Sequence, residues 1–202
     1  TFRCPFCHNP ELVDPERFTD RIPEPEILSF LDKRRGRLDA VVITGGEPTL
    51  QPELIPFIIH LKAMGYLIKL DTNGGLPDVL EDMLGRKLLD YVAMDIKAPL
   101  GKYGEATKTK TDGQRITRSI SLIMGSGIDY EFRTTAVRSF LAPGDFEEIA
   151  RLIPGAKRFV LQKFVPTKTL ERNYLSESSY SDSELKAILG KLALAVEKAS
   201  QR

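Results

Sequence analysis

At 202 residues the chain lies between one domain and two, and alternating α/β folds often use such a length once. Lys and Arg number 29 against 28 Asp and Glu, so a net charge of +1 supplies no field that would gather nucleic acid or an anionic membrane. Hydrophobic content of 42% is too high for disorder, and no apolar run approaches the roughly 18 to 20 residues of a membrane span.

The predicted elements alternate. A helix over Pro25 to Arg35 precedes a short β-branched run, Val41 to Thr44. Next comes a helix from Glu53 to Met64, whose Leu54, Phe57, Ile58 and Leu61 share a face and whose stop is Gly65. The unit recurs as strand Tyr66 to Thr72 with helix Asp78 to Arg86, and as strand Tyr91 to Ile96 with helix Asp112 to Met124. Strand Tyr130 to Val137 is followed by helix Asp145 to Ile153, and strand Phe159 to Phe164 by a closing helix from Asp182. Ser181 and Glu184 give that last helix a capping-box spacing. Lys102 to Gln114 and Pro166 to Ser181 read as exposed connections.

Strand and helix in regular alternation predict a parallel sheet with right-handed crossovers. Five strands are legible, and a further one is expected upstream of Thr1, ahead of the first helix. The length falls short of the roughly 250 residues of a complete eight-stranded barrel, so the expected fold is a partial (βα)6 TIM-type barrel, with an open doubly wound sheet as the alternative. The whole chain, 1–202, is expected to form a single domain truncated at its N-terminus.

In such folds the binding groups gather where strands end. Thr44-Gly45-Gly46-Glu47-Pro48 follows the first legible strand, Asp71-Thr72-Asn73-Gly74-Gly75 the second, and Asp95-Ile96-Lys97 the third. Arg133 lies in the fourth, and Gln162 and Lys163 in the fifth. Asp95 and Lys97 are two apart and leave the same side of their strand, as do Glu131, Arg133 and Thr135. A charged interior face is costly unless its groups are paired or meet a ligand. Taken singly, the glycine pair also suits a tight turn, Asn73-Gly74 a turn signal, and Asp95 with Lys97 a structural ion pair. His8 reads as a loop residue and His60 as an ordinary helix residue.

Nothing at the start of the chain reads as a signal peptide, and two cysteines are too few for a disulfide framework, so a cytoplasmic protein is expected. Cys4-Pro5-Phe6-Cys7 has the spacing of a redox pair, half a zinc site or part of an iron–sulfur ligand set. Two prolines between Phe2 and Pro10 weaken the redox reading, and the lack of a second Cys pair weakens the zinc reading.

Thr1-Phe2-Arg3-Cys4-Pro5-Phe6-Cys7-His8-Asn9 resembles the tail of the CxxxCxxC signature of radical S-adenosylmethionine (SAM) enzymes, whose first Cys would immediately precede Thr1. The resemblance continues in order through Gly45-Gly46-Glu47-Pro48, Asp71-Thr72-Asn73-Gly74, Asp95-Ile96-Lys97 and Arg133. It is closest to the glycyl-radical activating enzymes, and among them to the activating protein of anaerobic ribonucleoside-triphosphate reductase.

The resemblance implies that Cys4 and Cys7, with the upstream Cys, hold a four-iron four-sulfur cluster whose open iron binds SAM. It implies that Phe6, Gly45, Gly46, Glu47, Asp71, Thr72, Asn73 and Arg133 surround SAM, with Asp95 and Lys97 as catalytic residues. Glu47 or neighbouring carbonyls would accept from the SAM ammonium, and Lys97 or Arg133 would balance its carboxylate. The implied activity is reductive cleavage of SAM and removal of hydrogen from a glycine of a partner enzyme, anaerobic ribonucleotide reductase, fed by a one-electron donor. No Cys follows Cys7, so no auxiliary cluster is expected within this sequence. The alternatives are a radical SAM enzyme acting on another peptide or a small molecule, and a non-enzymatic α/β binding module in which the Cys pair holds zinc or nothing. With two of three thiolates in the sequence, Thr1 to Pro10 is expected to be displaced, while the strand-end groups line one cavity.

Overall fold

The computed structural model describes residues 2–202. Helix α1 (Glu24–Asp32) leads into strand β1 (Ala40–Ile43), and α2 (Leu54–Ala63) connects it to β2 (Leu67–Thr72). Helix α3 (Pro77–Gly85) leads to β3 (Tyr91–Asp95), after which come a short α4 (Tyr103–Thr107) and α5 (Gly113–Gly125). The chain continues through β4 (Asp129–Ala136), α6 (Pro143–Ala150), β5 (Phe159–Lys163), α7 (Asp182–Leu192) and β6 (Ala199–Gln201).

All six strands are parallel and lie in sequence order, β1 to β6. An open doubly wound sheet reverses direction at a switch point. Here every crossover steps the same way, so right-handed connections put the helices on one side and leave the other side concave. This is the partial-barrel architecture.

The core fills the space between helices and the convex face of the sheet. Ile58 and Leu61 of α2, Ile116, Ile120 and Ile123 of α5, and Leu185 and Ile188 of α7 bury there against Ile68, Leu70, Phe132, Phe159 and Leu161 of the strands. Period-two alternation then sends the intervening residues inward. In β4, Tyr130, Phe132 and Thr134 face the helices, whereas Glu131 and Arg133 carry charge onto the concave face. Glu131 is 1% exposed there and is held by a bidentate pair with Arg202 (3.0 and 3.1 Å) and by the Tyr91 hydroxyl at 3.2 Å. That pairing satisfies the buried carboxylate and fixes the C-terminal strand.

Two readings need correction. The chain holds one strand more than the five that are legible: Ala199–Gln201, a short polar run without a strand signal, pairs with β5. The strand expected upstream of Thr1 lies outside the described residues. The run 102–114 is not simply an exposed connection, because it contains α4, whose Tyr103 and Thr107 are buried. Those residues are four apart and share the face turned to the N-terminal segment, where the Thr107 carbonyl accepts from Arg3 N–H at 2.8 Å.

Candidate active site at the strand ends

The loop after β1 is shaped by its glycines. Gly45 has φ of +151° with open space where a side chain would project. A Cβ on Gly46 would lie 2.3 Å from the Leu12 carbonyl oxygen. Gly46 therefore admits the segment that carries the cysteines, a tertiary role that the pair's reading as a turn does not contain. Among the described residues, nothing donates to the carbonyls of Gly45 or Gly46.

Glu47 is buried, and both of its carboxylate oxygens are engaged. Oε1 accepts from Thr49 N–H (3.2 Å), the Thr49 hydroxyl (2.6 Å) and the Thr72 hydroxyl (2.8 Å), and Oε2 accepts from Asn73 N–H at 2.7 Å. The loop after β2 is held from a second side as well, since the hydroxyl of fully buried Ser119 on α5 donates to the Gly74 carbonyl at 2.7 Å. Gly74 takes φ of +72°, and a Cβ there would lie 2.1 Å from Met94 Cε.

Charges occupy the centre of the concave face. Arg133 donates from Nε to Asp95 Oδ1 at 2.7 Å and from Nη1 to Asp71 Oδ2 at 3.1 Å. Lys97 donates to Asp95 Oδ2 at 2.9 Å. Burial disfavours the Asp95 carboxylate, but Lys97 and Arg133 outweigh it and hold its pKa below the usual range. Burial likewise opposes the Lys97 ammonium, and the Asp95 charge overrides it and raises the pKa. Asp71 Oδ1 is buried and accepts no hydrogen bond, because its nearest cation, Lys69 Nζ, stands at 3.3 Å out of hydrogen-bond geometry.

The cysteine segment packs against this face, contrary to the expected displacement of residues 1–10. Thr1 lies outside the described residues. Cys4 is 6% exposed, and Cys7 N–H closes a turn onto its carbonyl at 3.0 Å. Phe6 is buried against Phe140 and Tyr174, and Glu171 N–H donates to the Pro5 carbonyl at 2.9 Å. His8 stacks on Phe164 and its Nε2 meets the Val165 carbonyl at 2.9 Å. Burial pushes the Cys4 thiol up to about 11, with Lys97 acting in the opposite direction.

Cys4, Phe6 and Cys7 on one side and Gly45, Gly46, Glu47, Asp71, Thr72, Asn73, Asp95, Lys97 and Arg133 on the other line one cavity of about 250 Å³. Thr135 and Gln162 also line it, paired in register across β4 and β5. Thr135 was legible as the inward neighbour of Arg133, two residues on. Lys163 does not line the cavity; the strand pleat turns it the other way, and its Nζ pairs with Asp182 at 2.8 Å. Phe2, Asn9 and Val13 complete the wall without any local signal.

Residues 1–153 match the model of the radical SAM superfamily. The chain belongs to this superfamily. It is 33% identical over 196 residues to a Methanocaldococcus jannaschii protein provisionally named a glycyl-radical enzyme activating enzyme, covering 95% of this chain and 80% of that one. It is 29% identical over 182 residues to the 7-carboxy-7-deazaguanine synthase of Thermococcus kodakarensis, covering 81% of this chain and 70% of that one. A solved domain of a pyruvate-formate lyase-activating enzyme from Bacteroides vulgatus shares the fold, with TM-score 0.62 and 16% identity over 81% of this chain and 99% of that one.

The chain is thus a radical SAM oxidoreductase, and the family's cofactors are a four-iron four-sulfur cluster and SAM. The site fits them. Thiolates are the ligands such a cluster takes, and Cys4 and Cys7 present two of them in one turn at the cavity. Among the described residues no group of three or more His, Cys, Asp or Glu gathers to hold a metal, so these two are the part of the set that the described chain supplies. The Cys4 proton must leave when iron binds. Asp71 Oδ1, buried and without a donor, suits a ligand that brings an N–H group.

Proposed function

We propose that the chain activates a glycyl radical enzyme, with anaerobic ribonucleotide reductase as the partner, a one-electron donor as the source of reducing power and the cytoplasm as the compartment. The observation that carries this reading is similarity over 95% of the chain to the M. jannaschii protein provisionally named as such an activase. The sheet order supports it: among the described residues β6 pairs only with β5, which leaves an edge beside which a polypeptide loop can reach the cavity.

When bound, the cluster and SAM supply an electron and a nucleoside radical able to remove hydrogen from a glycine. The protein's own part is to hold and orient. Cys4 and Cys7 would ligate iron. Lys97 has one carboxylate partner among its three donors, so it would meet the SAM carboxylate, with Nη2 of Arg133 as a second donor, since only Nε and Nη1 of that side chain bond Asp95 and Asp71. Asp95 would act through Lys97 by fixing its ammonium at the cavity wall. Phe6, Gly45, Gly46, Thr72 and Asn73 would complete the walls around SAM.

Anaerobic incubation of the full-length protein with SAM, a reductant and anaerobic ribonucleotide reductase tests the proposal. A glycine-centred radical signal on the reductase is the expected result. The similarity to 7-carboxy-7-deazaguanine synthase favours one other reading, a small-molecule substrate. Methionine release without a radical on the reductase would support that reading against the first.

A further inference from the structure

We infer that Glu47 is a positioning residue, a latch that splices the loop after β1 to the loop after β2, and that SAM affinity depends on it through Asn73 and Thr72. The inference holds whichever molecule receives the radical.

Four donors converge on this carboxylate. Two come from its own loop, Thr49 N–H and the Thr49 hydroxyl, and two from the end of β2, 25 and 26 residues on, the Thr72 hydroxyl and Asn73 N–H. Glu47 sits at 6% exposure, so desolvation of the carboxylate is compensated by these bonds. The β1–β2 ladder ends at Ile43 opposite Leu70, before either loop begins. Beyond that point Glu47 carries the cross-connection at the level of the cavity. Thr72 passes the constraint on, because its hydroxyl oxygen accepts from Gly74 N–H at 3.1 Å. Asn73 passes it on as well, its Oδ1 accepting from Gly75 N–H at 2.8 Å. The acceptors left for a SAM ammonium in this region are the Gly45 and Gly46 carbonyls and Asp71 Oδ1, none of which has a hydrogen-bond donor among the described residues.

Glu47→Met separates a latch from a ligand. The Thr49 and Thr72 hydroxyls can turn to accept from an amide, so a glutamine would keep its carbonyl oxygen on Asn73 N–H. Methionine, of similar size, offers none of the four donors a carboxylate oxygen. Amide hydrogen exchange is read in SAM-free protein, and SAM cleavage by reductant in the cluster-reconstituted full-length protein. The expected result is a loss of about tenfold in Asn73 amide protection without SAM, the equivalent of one hydrogen bond. A rise of similar size in the KM for SAM should accompany it with kcat unchanged. A general loss of folded protein would instead lower kcat and leave KM alone. Thr72→Val, which removes one of the four donors, should move both readouts in the same direction by less. Weakened SAM binding with Asn73 protection intact would make Glu47 a direct ligand and overturn the inference. Lost protection with an unchanged KM would overturn it equally, since the latch would then have no bearing on the site.

Discussion

Replacing Arg133 by methionine keeps most of the side-chain volume and removes the cation that joins two carboxylates. In the native site the Arg133 side chain is 11% exposed and bonds Asp95 at 2.7 Å and Asp71 at 3.1 Å. Hydrogen bonds to charged groups contribute about 1.5 to 3 kcal/mol each, and removal of one partner from a buried pair costs about 3 to 5 kcal/mol. Asp95 keeps Lys97 at 2.9 Å, which moderates the loss on that side. Asp71 keeps only Lys69, already out of hydrogen-bond geometry, so its Oδ2 loses its protein donor beside the buried and unsatisfied Oδ1. The net cost is expected to be about 3 kcal/mol at pH 7, or a fall of about 1.5 M in the urea midpoint for a slope of about 2 kcal/mol/M, with the slope unchanged. The pH dependence has a defined sign. The folded pKa of Asp95 lies below its unfolded value, so its contribution is present above the unfolded pKa of about 3.9 and is lost as pH falls through the folded one. The difference between wild type and variant should therefore shrink on acidification below the ordinary carboxylate range. Adding Asp71→Asn to the variant removes the stranded charge and should recover part of the loss. Urea unfolding followed by far-UV circular dichroism decides it: a cost under about 1 kcal/mol, or no recovery in the double variant, would refute the account of Arg133 as the charge bridge.

The other expectations concern the walls and the thiols. Gly74→Ala puts a methyl group against buried Met94 at a φ of +72°, and should cost about 2 kcal/mol in the same unfolding assay. A near-neutral result would mean that the loop after β2 relaxes freely. Cys4→Ser and Cys7→Ser should each abolish the iron–sulfur visible absorption after anaerobic reconstitution while leaving the far-UV spectrum unchanged, because the substitution is nearly isosteric and the segment is held by Phe6, Pro5 and Arg3 contacts. Retained cluster absorption in either variant would remove that thiol from the ligand set.

Much of the fold was legible because the local signals agreed with the tertiary outcome. In β4 the alternation of Tyr130 and Phe132 with Glu131 and Arg133 already assigns helix-facing and concave faces, and the register places Asp95 beside Arg133. Ser181 and Glu184 close the capping box that their spacing predicts. What escaped the sequence depends on distant partners. Ala199–Gln201 becomes a strand because β5 offers it an edge and Arg202 reaches Glu131, 71 residues away. Residues 2–10 lack periodicity, yet they order against Thr107, Phe140, Phe164 and Glu171, drawn from three separate stretches of chain. In the site, strand-end position identified the charged groups. The same reasoning left Glu47 free to face a ligand, since its donors at Thr72 and Asn73 lie across a strand and a helix. Gly46 was legible as a turn residue, but its contact with the Leu12 carbonyl exists only once the cysteine segment has docked.

The most direct measurement is the electron paramagnetic resonance spectrum of the reduced, reconstituted full-length protein with and without SAM. The central claim is that the Cys4–Cys7 turn and the strand-end groups form one site, where a cluster held at the thiols is within reach of SAM held by Lys97 and its neighbours. A four-iron four-sulfur signal that changes on addition of SAM, and fails to change in Lys97→Met, is the expected result. A cluster signal indifferent to SAM in the wild-type protein would contradict the claim.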